Sequence, residues 1–304
     1  MKFRTEIEPS PSGVQIGYEN RVLTLGSCFA AHIAGKLAEA KFRVTANPSG
    51  ILFNPLSIAA AIRSYADPAP VGREELGFDG EVWYHFGFHG DLSAPTAEAA
   101  LARMNAARQA GAEALRTADR VILTFGTAWV YERQGEIVAN CHRRPAAEFA
   151  RRRLSVDEIA DAISELAEGP LAGRSILLTV SPVRHTGDGL AGNAVSKAAL
   201  RLAAEELTQR FRRIEYFPAY EILTDDLREE PGFSLSAADT ACDAAASARA
   251  LSRAAPAVSP PLPPPLSASG TLFPLLADVE APVLHRNPAL PRRPTPTPLR
   301  PHHD

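Results

Sequence analysis

A three-layer α/β/α sandwich around a mainly parallel sheet is the fold this sequence predicts, and three observations predict it. Short β-branched runs alternate with helical patterns through the first three quarters of the chain, the order expected of βαβ units. Two of these runs, Val121 to Phe125 and Ile176 to Val180, are almost continuously apolar, as strands covered on both faces must be. The run Val22 to Leu25 ends in Gly26-Ser27 directly before a helical pattern, a tight strand-to-helix turn.

In chain order, Val22 to Leu25 is a strand that leads into a helix from about Phe29 to Ala40, and Phe42 to Thr45 is a second strand. Trp83 to His89 reads as a loop or hairpin, because Gly87, Gly90 just beyond it and several aromatics interrupt any helical pattern. Thr96 to Thr117 is a helix, followed by the strand Val121 to Phe125. Ala128 to Glu132, the Gln134-Gly135 turn and Glu136 to Ala139 form a hairpin. Ser155 to Leu166 is a helix whose Ser155 and Glu158 stand at capping-box spacing. The strand Ile176 to Val180, a helix from roughly Asn193 to Phe211 and a fifth strand, Ile214 to Phe217, complete the domain, and there is no internal repeat.

The domain is expected to span residues 1–228, with a different segment over 229–304. Of 26 prolines, 15 lie in the last 74 residues, which also hold 15 Ala and no Ile, Tyr, Trp or Lys. So few aromatic and β-branched residues cannot offset the entropy of ordering, which predicts disorder or polyproline-like chain from about Ser259. A weak Ala-rich helix is expected over Ala237 to Ala255.

A net charge of −3 argues against nucleic acid as the main partner. No apolar run approaches the ~18 residues of a membrane span, and MKFRTEIEPSPSG does not read as a signal peptide. A cytoplasmic protein without a membrane partner is expected. Cys28, Cys141 and Cys242 have neither disulfide-framework nor zinc spacing.

The segment richest in chemistry is Val22-Leu23-Thr24-Leu25-Gly26-Ser27-Cys28-Phe29-Ala30. Ligands of open parallel sheets bind beyond the carboxyl ends of the strands, where Ser27 stands. The helix behind it aims its positive dipole end at the same point, a setting for a nucleophilic hydroxyl and the oxyanion it creates. Position alone also makes Ser27 an ordinary helix cap. Cys28 raises the rival of thiol catalysis, but a thiol packed under the helix is the reading preferred here. His85 and His89 have the i, i+4 spacing of helical metal ligands, yet their surroundings make them loop residues that lid the site, so no metal is expected. Arg143-Arg144 and Arg151 to Arg153 read as solvated faces or an anion contact. Gly187, Gly189 and Gly192 lack dinucleotide spacing, and no cofactor is expected.

Gly26-Ser27-Cys28-Phe29-Ala30 spells the motif of the GSCFA family, and the resemblance extends through PSGILFNPLSIAAAI, TFGTAWVYE, VANCHRRPAAEF, LSVDEI, TVSPVRH, SKAAL and YFPAYEI, in order over about residues 2–228. That family is similar to the SGNH, or GDSL-like, hydrolases. The resemblance implies a hydrolase-like fold with Ser27 as nucleophile, its own N–H as one oxyanion donor and the N–H of Gly50 as another. The Asn it implies after the central strand is replaced by Ala128, which leaves Thr127 and Asn140 as candidates.

The resemblance also implies a late Asp-x-x-His, shortly after YFPAYEI, to activate the serine, and this chain shows none. An Arg-rich chain whose last segment is dominated by Ala, Pro, Arg and Ser matches a shifted reading frame through GC-rich coding from about Glu229, or a natural truncation with an added linker. His142 and His185 remain as substrate-binding or base candidates, with binding preferred for His185. The expected function is a serine ester hydrolase or acyl transferase on a small acyl ester, an O-acetyl group on a carbohydrate being one substrate. The alternatives are a non-catalytic ligand-binding protein or a defunct product, and the oligomeric state is open.

Overall fold

The computed structural model describes Ile7 and residues 12–226, so Cys242, the Ala-rich helix and the polyproline-like segment lie outside the described residues. The chain runs through β1 (Arg21–Gly26), α1 (Cys28–Glu39), β2 (Arg43–Ala46), α2 (Pro55–Ala66), β3 (Gly77–Phe78), β4 (Trp83–Tyr84) and α3 (Ala97–Thr117). It continues with β5 (Arg120–Phe125), β6 (Trp129–Arg133), β7 (Glu136–Val138), β8 (Ala150–Arg153), α4 (Val156–Glu168), β9 (Ser175–Val180), α5 (Gly189–Arg210), β10 (Ile214–Phe217) and the short α6 (Ala219–Glu221).

Five strands form one sheet in the order β10-β9-β5-β1-β2, and every neighbouring pair is parallel. Helices cover both faces, which is the expected sandwich. Against one face, Phe29, Ile33 and Leu37 of α1 pack with Val22, Ile122, Leu177 and the segment after β10. Against the other, α2, α4 and α5 bury Ile58, Ile62, Ile159, Ile163, Leu200 and Leu207 on Leu23, Leu25, Leu123 and Leu178. Alternate residues of each strand thus enter opposite cores, and this double coverage is why the runs are apolar throughout.

The sheet order contains one reversal. From β1 the chain moves to β2 at one edge, then returns to β5 on the other side of β1 and builds outward to β9 and β10. The topological switch point lies between the carboxyl ends of β1 and β5, where such sheets form their crevice.

The five expected strands and four expected helices are present with ends shifted by a few residues. Thr96 and Ser155 stand just outside their helices as caps, accepting from Ala99 N–H at 3.2 Å and Glu158 N–H at 3.1 Å. Helix α2 was not expected. Its Leu-Ser-Ile-Ala-Ala-Ala-Ile run is apolar around most of the cylinder, so it lacks an amphipathic signature, and Asn54 caps it through Ser57 N–H at 2.8 Å. Strand β8 was hidden in a basic run. It pairs with β6 in a three-stranded sheet, and Arg152 bonds Glu132 at 2.7 Å and Glu158 at 2.6 Å while Arg151 stacks over Trp129.

Candidate functional site

Ser27 occupies the N-cap position of α1 but does not cap it. Its backbone is extended (φ −67°, ψ 178°) and its side chain makes no capping bond. Its main-chain carbonyl accepts from Ala30 N–H at 2.9 Å. The residue is only 1% exposed, and among the described residues Oγ has no hydrogen-bond partner. A buried hydroxyl without a partner is costly, and such a group calls for a reason. Gly26 makes the turn with φ +143°, and a Cβ on Gly126 would lie 3.3 Å from Ser27 Cβ, so Ser27 faces the switch point between β1 and β5.

Next to this turn stands Asn47, at the end of β2, which sequence reasoning passed over. Its φ is +42°, a left-handed conformation that Asn tolerates better than most residues. Oδ1 accepts from Gly26 N–H at 2.8 Å, which fixes the amide orientation, and Nδ2 is buried without a partner. Two unused polar groups, one hydroxyl and one amide donor, therefore flank a single glycine.

The expected oxyanion donors are arranged differently. Ser27 N–H donates to Thr124 O at 3.3 Å, and Gly50 N–H closes a turn on Asn47 O at 2.8 Å. Both are already spent on the main chain. Gly50, at φ +80°, instead gives space to His89, whose N–H bonds Ser49 O at 3.0 Å. Thr127 Oγ1 lies 3.1 Å from Ser196 Oγ and accepts from Trp129 N–H at 3.1 Å. Ala128 is fully buried in the core and its N–H donates to Ser196 Oγ at 2.7 Å, so position 128 faces the core and an amide there would be buried in it. Asn140 accepts from His142 N–H at 2.8 Å and belongs to the loop cluster described below.

Beside Ser196 on α5, Lys197 is 2% exposed. Its Nζ donates to Gly126 O at 2.6 Å and Ser181 O at 2.6 Å, the first residues beyond β5 and β9. Among the described residues no carboxylate is bonded to it. Burial pulls the amine from its ordinary 10.5 to about 7, with Cys28 and Asp188 opposing the shift. Unfolded, the amine holds its proton to about pH 10. Between those values the unfolded chain binds more protons, so stability should rise with pH by up to roughly 1.4 kcal/mol per unit and be level below about 7. Melting curves of wild type and Lys197→Met test this: the difference between them should grow in favour of wild type from neutral to alkaline pH, and a constant difference would contradict it.

The histidines divide into two groups. His142 Nε2 lies 3.0 Å from His85 O, its ring stacks on Tyr84 with centroids 4.6 Å apart, and burial holds its pKa low. With Asn140, His85 and His89 it forms a loop cluster; Ser27 Oγ is bonded by none of these side chains, nor by His185 or Lys197. His85 and His89 lie on a loop, where their Nδ1 atoms accept from Gly87 and Asp91 N–H. Among the described residues no group of three or more His, Cys, Asp or Glu is arranged to hold a metal. His185 lies nearer the switch point, edge-on to Phe53 with centroids 5.5 Å apart, while Phe53 O accepts Gly126 N–H at 2.8 Å. Burial, then the charge of Lys197, lowers its pKa. Cys28 is half-buried, not packed fully under the helix as expected, because it opens α1 at the sheet's carboxyl end.

Fold and site together define a parallel α/β sandwich protein with a polar cluster at its topological switch point. The chain belongs to the GSCFA family, whose model matches residues 21–244 and so extends beyond Arg228. No curated protein and no solved structure matches the chain. Among the described residues no helix is long and apolar enough to cross a membrane.

Proposed function

We propose that this protein is an SGNH-like serine ester hydrolase or acyl transferase that works through a Ser27 acyl-enzyme on a small acyl ester, an O-acetyl group on a carbohydrate being one substrate class. The observation that carries the reading is the Ser27 hydroxyl itself: it stands at a helix N-cap, caps nothing, and is buried at the switch point without a partner. The positive end of α1 favours the negative charge that develops when a hydroxyl adds to an ester carbonyl. Asn47 Nδ2 supports the role of oxyanion donor, in place of the amide implied at position 128. His185 suits a substrate contact.

A non-catalytic binding role is the second reading, favoured by the 1% exposure of Ser27 and by the main-chain pairing of the Ser27 and Gly50 N–H groups. Labelling with a fluorophosphonate probe, followed by intact mass, separates the two, because such probes require an activated serine. Wild type should gain one adduct, and Ser27→Ala should gain none while melting like wild type. A folded wild type that gains none would favour binding without acyl chemistry.

A further inference from the structure

We propose that the buried amine of Lys197 is the base that takes the Ser27 hydroxyl proton. This rests on the serine reading above and supplies the activating group that the absent Asp-x-x-His leaves open.

An ammonium carries three N–H donors and a free amine two, plus one lone pair. Lys197 Nζ has two protein acceptors, Gly126 O and Ser181 O, each at 2.6 Å. As a free amine it is fully satisfied as a donor and keeps a lone pair to accept a proton. As an ammonium it would be a charge 2% exposed with no carboxylate bonded to it, an expensive state.

Both carbonyls belong to strand ends at the sheet's carboxyl edge, and one of them is Gly126, whose missing Cβ is what lets Ser27 lie against it. Ser196 bonds the same loop through Thr127 and Ala128, so α5 is pinned beside the switch point at two adjacent residues. Cys28 from α1, His185 and Asp188 from the turn that precedes α5, and the Tyr220 ring with its centroid 6.0 Å away are the groups facing Nζ. Asp188 is engaged by Arg151, so no unengaged carboxylate holds the amine protonated. Its pKa of about 7 agrees with a base that works near neutrality. The competing histidine of the loop cluster, His142, is turned to the His85 carbonyl.

The Lys197 lone pair takes the proton from Oγ as the Oγ–carbon bond forms, and the carbonyl π pair moves to oxygen. On collapse the carbon–oxygen bond to the alcohol breaks, and the Lys197 ammonium protonates the departing alkoxide. A water, or an acceptor alcohol, then gives its proton to Lys197 as it adds to the acyl carbon, and Oγ leaves with that proton.

The test measures the fluorophosphonate labelling rate of the full chain from about pH 5 to about 9 in wild type, Lys197→Met and His185→Gln, with the adduct mapped. Wild-type labelling of Ser27 should rise through a midpoint near 7. A folded Lys197→Met should label about 100-fold more slowly and without that midpoint. His185→Gln should keep the midpoint whatever its rate. Labelling of Lys197→Met at the wild-type rate, or a midpoint below 6.5 that vanishes in His185→Gln, would overturn the proposal and leave the serine reading intact. If Lys197→Met does not fold, the wild-type and His185→Gln midpoints decide. A folded wild type that is unlabelled at every pH would overturn the serine reading, and the role of Lys197 with it.

Discussion

Gly26→Ala should destabilise the protein by roughly 2–5 kcal/mol, combining backbone strain with overpacking. Its φ of +143° is one that a side chain rarely adopts. A Cβ there would press into the Thr124 carbonyl and side chain. Neither partner can retreat, because Thr124 pairs with Gly26 in the ladder and with Thr179 on its other side. The same change would displace Ser27, so labelling should fall along with stability. Gly35→Ala on α1 is the control: a Cβ there meets nothing within 4 Å, and the replacement should stabilise by roughly 0.5–1 kcal/mol. Denaturant unfolding of both variants measures this, and a Gly26→Ala loss no larger than that of an ordinary surface change would contradict the turn geometry.

Asn47→Ala should lower the Ser27 labelling rate by roughly 100-fold, the usual effect of removing one oxyanion donor. It should also cost roughly 1–3 kcal/mol, since Gly26 N–H loses its buried acceptor. Asn47→Asp separates the two effects. It keeps an acceptor for Gly26 and tolerates the φ of +42°, so it should retain most of the stability, but it replaces the Nδ2 donor with an oxygen. Wild-type labelling by Asn47→Asp would show that Asn47 serves the turn and not the oxyanion.

Much of the fold was legible because double coverage makes a strand apolar without interruption. Val121 to Phe125 and Ile176 to Val180 carry that signature and their neighbour Val22 to Leu25 shares it, whereas Ile214 to Phe217 lies at the sheet edge and is interrupted by Glu215. Helix α2 was not legible because a helix apolar on most sides shows no period. Ser27 was legible as a position but ambiguous as a role. A capping serine and a nucleophilic serine both belong at a helix start, and only the missing capping bond separates them. Asn47 depends on lateral pairing with a glycine 21 residues earlier, which spacing does not reveal.

Lys197 was missed because lysine normally faces water, and its burial depends on two strand-end carbonyls that meet only in the folded sheet. Two clues were nonetheless present. The chain has only four lysines, and this one shares its helix face with Asn193, Leu200, Ala204 and Leu207, all buried. The oxyanion residues carried over by resemblance fared less well: Gly50 N–H is held by Asn47 O in a tight turn and Thr127 Oγ1 by Ser196 Oγ on α5, 69 residues later.

The central claim is that Ser27 carries the reactive hydroxyl, and mapping the site of a fluorophosphonate adduct tests it most directly. Trypsin should release Ser27 on the peptide from Val22 to Lys36, which also contains Cys28 and His32. The account predicts a single adduct on Ser27 in tandem mass spectra of that peptide. An adduct on Cys28, on another serine, or none on folded protein would contradict it.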